Sequence, residues 1–162
     1  MSYTVFRSDL MSGTKQPADL VSLRYYIGDE QAEVENGVIV ELGSLEDDAR
    51  EVRKATAATA DSDLANCAVV AGVEVMYDER KRNLDEFINE KGKATRGYLL
   101  RTNNIFSVTA DGFVDKAVPA VDGAVGIGAN GKLDASGTGF GKCIAIEKAG
   151  RYTYYVIEIK KA

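Results

Sequence analysis

Histidine and tryptophan are absent from the 162 residues, and cysteine and proline occur only twice each. Without histidine, the commonest general base, nucleophile activator and zinc ligand is missing, which excludes Ser-His-Asp and Cys-His catalysis and most zinc chemistry. Cys67 and Cys143 lie far apart with no second thiol beside either, so they read as small buried residues rather than as a disulfide or a metal site. Basic residues are outnumbered, 20 against 25 acidic, which leaves a net charge of −5 with no local block of Lys or Arg to reverse it. Binding to nucleic acid or to an anionic membrane rests largely on cationic side chains, so neither partner is expected. No apolar run approaches the roughly 18 residues of a membrane span. The start, Met1 to Arg7, lacks the basic-then-apolar layout of a signal peptide, so the chain is expected to be made and to stay in the cytosol.

What is present is an ordinary globular composition, 45% hydrophobic and 28% charged, at a length suited to one compact domain. Residues 1–28 read as an extended N-terminal arm leading into a first strand, since only Val21 to Ile27 sustains period-two alternation. The tyrosines and Phe6 of this arm are either core residues or anchors presented to a partner. Residues 29–162 read as a β-rich domain. Asn36-Gly37 between two β-prone runs signals a tight hairpin over Ala32 to Leu42. Glu46-Asp47-Asp48 reads as a solvated loop, and Arg50 to Thr56 as a strand with Val52 inward or a weak helical turn.

Ala68 to Tyr77 reads as a strand buried on both faces, bulged at Gly72, and as the centre of the core. A short α-helix is expected near 80–92, capped by Asn83 with Glu86 three residues on, and ended by Gly92. Short strands come next at Tyr98 to Arg101 and Ile105 to Thr109, with a turn at Asp111-Gly112. Lys142 to Glu147 and Tyr152 to Ile159, joined through Ala149-Gly150, form the clearest hairpin in the chain. The fold expected is mainly β: a single compact β-barrel or β-sandwich-like domain with one short α-helix.

Motifs for chemistry are weak. Gly126-Ile127-Gly128-Ala129-Asn130-Gly131 matches G-x-G-x-x-G, but Lys132 to Gly139 after it is turn-rich rather than helical, so β-turns are the better reading. Gly137 to Lys142 departs from a phosphate loop at two positions, Ser136 and Cys143, and its glycines bend the chain into the next strand. Asp61-Ser62-Asp63 and Asp47-Asp48 offer too few oxygen ligands for a calcium loop. Tyr152, Tyr154 and Tyr155 with Arg151 form either an aromatic patch for a sugar or partner, or a cross-strand ladder. No catalytic residue, cofactor site or metal site is expected.

Asn66 to Phe87, together with Gly97-Tyr98, Phe106 to Ala110 and Gly141 to Ile157, resembles a group of small proteins found among the head genes of tailed phages and prophages of Gram-positive bacteria. The resemblance spans roughly residues 37–159. It implies a non-catalytic capsid decoration, or cement, protein that binds the outer surface of the mature expanded head and stabilises it, and so a place on the virion. The implied partners are the major capsid protein of the phage head and other copies of the chain, as in a trimer. Under this reading the arm is the candidate capsid contact, with Tyr3, Val5, Phe6 and Leu10 as its contact residues, adding a strand to an exposed edge of the shell protein. The alternatives are a virion-borne module for host-surface or glycan binding, and a small carboxylate enzyme, which needs a deep polar pocket with perturbed Asp or Glu.

Overall fold

In the computed structural model, residues 2–11, 19–78, 80–81 and 83–160 are described. Eleven strands among them form two sheets. The first contains β1 (Leu20–Ile27), β2 (Glu30–Gln31), β3 (Ile39–Leu45), β4 (Val52–Ala57), β5 (Cys67–Val70) and β6 (Thr95–Leu99). Its order is β2-β1-β4-β3-β5-β6, and β1 also pairs with β6 from Leu20↔Tyr98 to Leu23↔Thr95, which closes five strands into a barrel with β2 appended. One seam is parallel: β1 runs alongside β4 from Ser22↔Val52 to Tyr26↔Thr56. Closure removes the free edges that an open five-stranded sheet would leave.

The second sheet has the order β7-β11-β10-β8-β9, from β7 (Ile105–Val108), β8 (Ala124–Ile127), β9 (Leu133–Asp134), β10 (Gly141–Ala149) and β11 (Tyr152–Ile159). The expected C-terminal hairpin is its spine: β10 and β11 pair from Gly141↔Ile159 to Ala149↔Tyr152, with a bulge between Cys143 and Ala145. Gly150 makes the turn at a φ of 61°.

Two apolar layers result, and β5 serves both. Ala68 and Val70 point into the barrel with Leu23, Tyr25, Val38, Val40 and Ala55. Cys67 and Val69 point outward, against Phe106, Phe113, Phe140, Ile157 and Ile159 of the second sheet. A strand with a core on each side reads as an uninterrupted apolar run, and Cys-Ala-Val-Val is such a run. Each large side chain fully buried in these layers contributes about 1.5–3 kcal/mol relative to exposure. Both cysteines are buried free thiols, as the sequence suggests.

The residues expected as an N-terminal arm are packed, and Ser8–Leu10 among them form a 3₁₀ turn. Phe6 bridges to Val108 at the edge of the second sheet and stacks on Phe106 at 5.8 Å between ring centres. Thr4 is held by the Glu35 carboxylate, which accepts from its backbone N–H at 2.9 Å and its hydroxyl at 2.8 Å. The part of the arm at 12–18, including Pro17, lies outside the described residues.

Four local expectations are corrected. No α-helix occurs among the described residues: near 80–92 there is one 3₁₀ turn, Leu84–Glu86. The cap forms, with the Glu86 carboxylate accepting from the Asn83 N–H at 2.9 Å, but Asn89 then makes a two-way backbone bridge with Val34. A helix this short is marginal alone, and the bridge outweighs it. Asn36-Gly37 is a turn, but its flanking strands do not pair: β2 joins β1, and β3 joins β4 and β5, because the Asn36 amide is used on Gly72 and Asn89. Glu46 is buried rather than solvated, accepting from the Tyr26 hydroxyl at 2.7 Å. Residues 52–57 are a strand, and Ala55, not Val52, is its buried position.

Candidate partner-binding surface

Beyond Val70 the chain leaves the sheet and continues without regular secondary structure. Residues 73–78 alternate in exposure with period two, and the sense of the alternation is inverted. Val73, Val75 and Tyr77 are 59%, 52% and 90% exposed, while Glu74, Met76 and Asp78 between them are partly covered. A strand with its apolar side chains turned to solvent costs hydrophobic free energy unless something covers it. Val75 N–H turns back to the Val73 carbonyl at 2.8 Å. Among the described residues, the amides of Val73, Glu74, Met76 and Tyr77 and the carbonyls of residues 74–77 have no hydrogen-bond partner.

A buried amide network holds this ribbon in place. Asn36 Nδ2 donates to the Gly72 carbonyl at 3.0 Å, and Asn36 Oδ1 accepts from the Gly72 N–H at 2.8 Å. Asn89 Nδ2 donates to Asn36 Oδ1 and to the Val34 carbonyl, both at 2.9 Å, and Asn89 Oδ1 accepts from the Thr95 hydroxyl at 2.6 Å. Position 72 requires glycine because a Cβ there would lie 1.9 Å from Asn89 Oδ1. Glu74 is carried to the side away from solvent, 3.5 Å from Asn36 Nδ2. Burial pushes its carboxyl above the usual range, against the Asn36 hydrogen bond, and Asp9 adds to the rise.

The ribbon forms one wall of an open groove of about 400 Å³. Phe87 to Glu90 and Lys93 to Arg96 supply the rest, with Ser22 at the margin. Tyr77 lies near Lys93. Glu90 is matched by Lys93 at 2.6 Å. Arg96 is exposed and has no ion-pair partner among the described residues.

Two other hollows are of similar size. Beside Leu64 and Phe140, Asp63 accepts from the Ala65 N–H at 3.1 Å, and the Ser62 hydroxyl donates to Glu41 at 2.7 Å. Beside Ser2 and Asn130, Lys116 pairs with Asp111 at 2.7 Å, and Lys132 with Glu35 at 3.1 Å.

The four residues proposed from the sequence as capsid contacts are separated by the fold. Val5 and Phe6 are only 1% and 2% exposed and belong to the core. Tyr3 is half-buried, its N–H donating to the Asp85 carbonyl at 2.9 Å, whereas Leu10 is exposed. Arg151 and Tyr152 do come together, but around Asp85, which accepts from both at 2.7 and 3.0 Å. Tyr154 is buried and Tyr155 packs edge-on against Phe113, so these tyrosines behave mainly as a cross-strand ladder. The G-x-G-x-x-G string passes through β8 into a 3₁₀ turn. Its Gly126 is there because the Gly137 backbone comes within 2.8 Å of where a Cβ would stand. Among the described residues no group of three His, Cys, Asp or Glu is placed to hold a metal ion, and no helix is long and apolar enough to cross a membrane.

The sequence reading missed the ribbon because it took residues 73–77 as buried core. The available signal was Glu74, a carboxylate inside an otherwise apolar run. Comparison with protein families, curated proteins and solved structures finds no match to the chain.

Proposed function

We propose that this is a capsid decoration protein of a tailed phage, binding the outside of the expanded head without catalysis. The observation that carries the reading is the ribbon Val73 to Tyr77, an exposed apolar face without a partner among the described residues, inside Asn66 to Phe87, one of the segments that resemble phage head proteins. Covering three such side chains on a lattice supplies binding free energy, and many equivalent sites on a mature shell favour that state by mass action. A closed barrel welded to a second sheet suits a part that must stay rigid while it clamps its neighbours. The contact assigned from the sequence to the N-terminal residues moves to this ribbon, with exposed Leu10 as the remaining candidate from the first set.

The test is gradient co-sedimentation with undecorated, expanded heads, counting bound copies. Saturation at a number tied to lattice symmetry, lost on Val75→Asp, is expected. Absence of binding to intact heads overturns the reading and favours host-surface or glycan recognition, which cell-binding and glycan-array assays would then register.

A further inference from the structure

We propose that the groove beside Val73 to Tyr77 receives an extended, acidic segment of its partner as an added β-strand. The proposal deepens the decoration reading and rests on it for the source of that segment, the shell protein.

Three observations define the occupant. The first is the backbone. Apart from the Val75 N–H, which turns back to the Val73 carbonyl, the amides of residues 73–77 and the carbonyls of residues 74–77 stand unpaired among the described residues. A helix laid on this face would bury them unsatisfied, whereas a strand satisfies one alternate set and leaves the other to water. The second is spacing. Val73, Val75 and Tyr77 are the exposed members of a period-two alternation, the period at which the side chains of a paired strand also recur.

The third is charge. The chain as a whole is acidic, yet the groove and the turn that continues the ribbon reverse that sign. Among the described residues, Lys93 and Arg96 line the groove against Glu90, and Arg80 and Lys81 stand in the turn beyond it against Asp78. Asp78 is engaged by Arg80 at 3.1 Å and Glu90 by Lys93, with Lys81 near both carboxylates, which leaves Arg96 unpaired among the described residues and a net positive charge to meet incoming carboxylates. Glu74 does not oppose them, because it is turned to Asn36. A second copy of the chain would bring the same net positive charge, so self-pairing across the groove sets like charges together. An acidic strand with alternating apolar residues fits backbone, spacing and charge at once.

The full chain is tested with two soluble hexapeptides, alternating Val-Glu and alternating Val-Lys, and with expanded heads. The Val-Glu peptide is expected to bind at least tenfold more tightly than Val-Lys and to slow amide hydrogen exchange at alternate positions of residues 73–77. Arg96→Glu, at an exposed position that leaves the core intact, should reverse the peptide preference and weaken head binding at least tenfold. Equal binding of the two peptides, binding of neither, or binding without slowed exchange in the ribbon overturns the proposal. If the Val-Glu peptide behaves as expected and heads are not bound, the groove's chemistry stands and the decoration reading fails.

Discussion

The side-chain amide of Asn36 grips the peptide group of Gly72 as a neighbouring strand would, giving a donor to its carbonyl and an acceptor to its N–H at 3.0 and 2.8 Å. One side chain thus stands in for a rung of sheet where the chain leaves β5. Asn36→Ala would strip partners from Gly72 and from the Asn89 amide inside the fold. Each buried unsatisfied group costs about 1–3 kcal/mol, so a loss of roughly 2–4 kcal/mol is expected in urea unfolding with an unchanged slope. Gly72→Ala, driving a methyl into Asn89 Oδ1, should lose a similar amount. A loss below about 1 kcal/mol in both would mean that something else holds the ribbon.

Phe6 and Leu10 separate the two roles available to the N-terminal residues. Phe6→Ala empties a site between Phe106 and the edge of the second sheet and should cost about 3–5 kcal/mol, visible as a large fall in Tm. Leu10→Ala, at an exposed position, should stay within about 0.5 kcal/mol of the parent. If Phe6→Ala left Tm unchanged, the packed N-terminal segment would be refuted in favour of a detachable arm.

Glu74 makes stability depend on pH in a direction opposite to that of a salt-bridged acid. Its carboxyl titrates above the ordinary value in the fold, so its favourable contribution is complete below the unfolded-state value and is lost as pH rises through the folded one. Glu74→Gln should therefore be the more stable protein at pH 7, with the gap closing as the pH is taken into the acid range. Chemical denaturation of the pair across that range checks this; a gap that widens in acid contradicts it.

The thiol of Cys67 is pushed up to about 11 by burial, helped by Glu41 and Asp63, and Cys143 is raised in the same sense by burial. Little thiolate exists at pH 8, and neither sulfur is accessible. A thiol reagent should leave both unmodified in the native protein and label two groups per chain once urea is added. Rapid labelling of native protein would show that the layer between barrel and second sheet opens readily.

Elements whose pattern and pairing are both local were legible in the sequence. β10 and β11 alternate, meet at Gly150 and pair with each other, so their hairpin followed from residues 142–159 alone. The double burial of β5 showed as an unbroken apolar run. Asn36-Gly37 misled because its amide is spent on Gly72 and Asn89, contacts no window of neighbouring residues contains. Asn83 and Glu86 formed their cap, yet the helix lost to a bridge between Asn89 and Val34, 55 positions apart. Barrel closure through a parallel β1–β4 seam leaves no local trace. Val73 to Tyr77 carries the same composition whether its outer face is covered or bare, and only the three-dimensional path past Gly72 decides which.

The seam between β1 and β6 also dictates when the fold can exist. A nascent chain holds β1 early, but its two barrel neighbours, β4 and β6, arrive about 30 and 75 residues later, and Phe6 must wait for Val108. Nothing near the N-terminus can settle until most of the chain has left the ribosome, so acquisition of structure is a single late event governed by distant pairings, in the milliseconds-to-seconds range typical of such topologies. A polypeptide stalled short of residue 95 would have no β6 with which to shut the barrel, and would expose both apolar layers together.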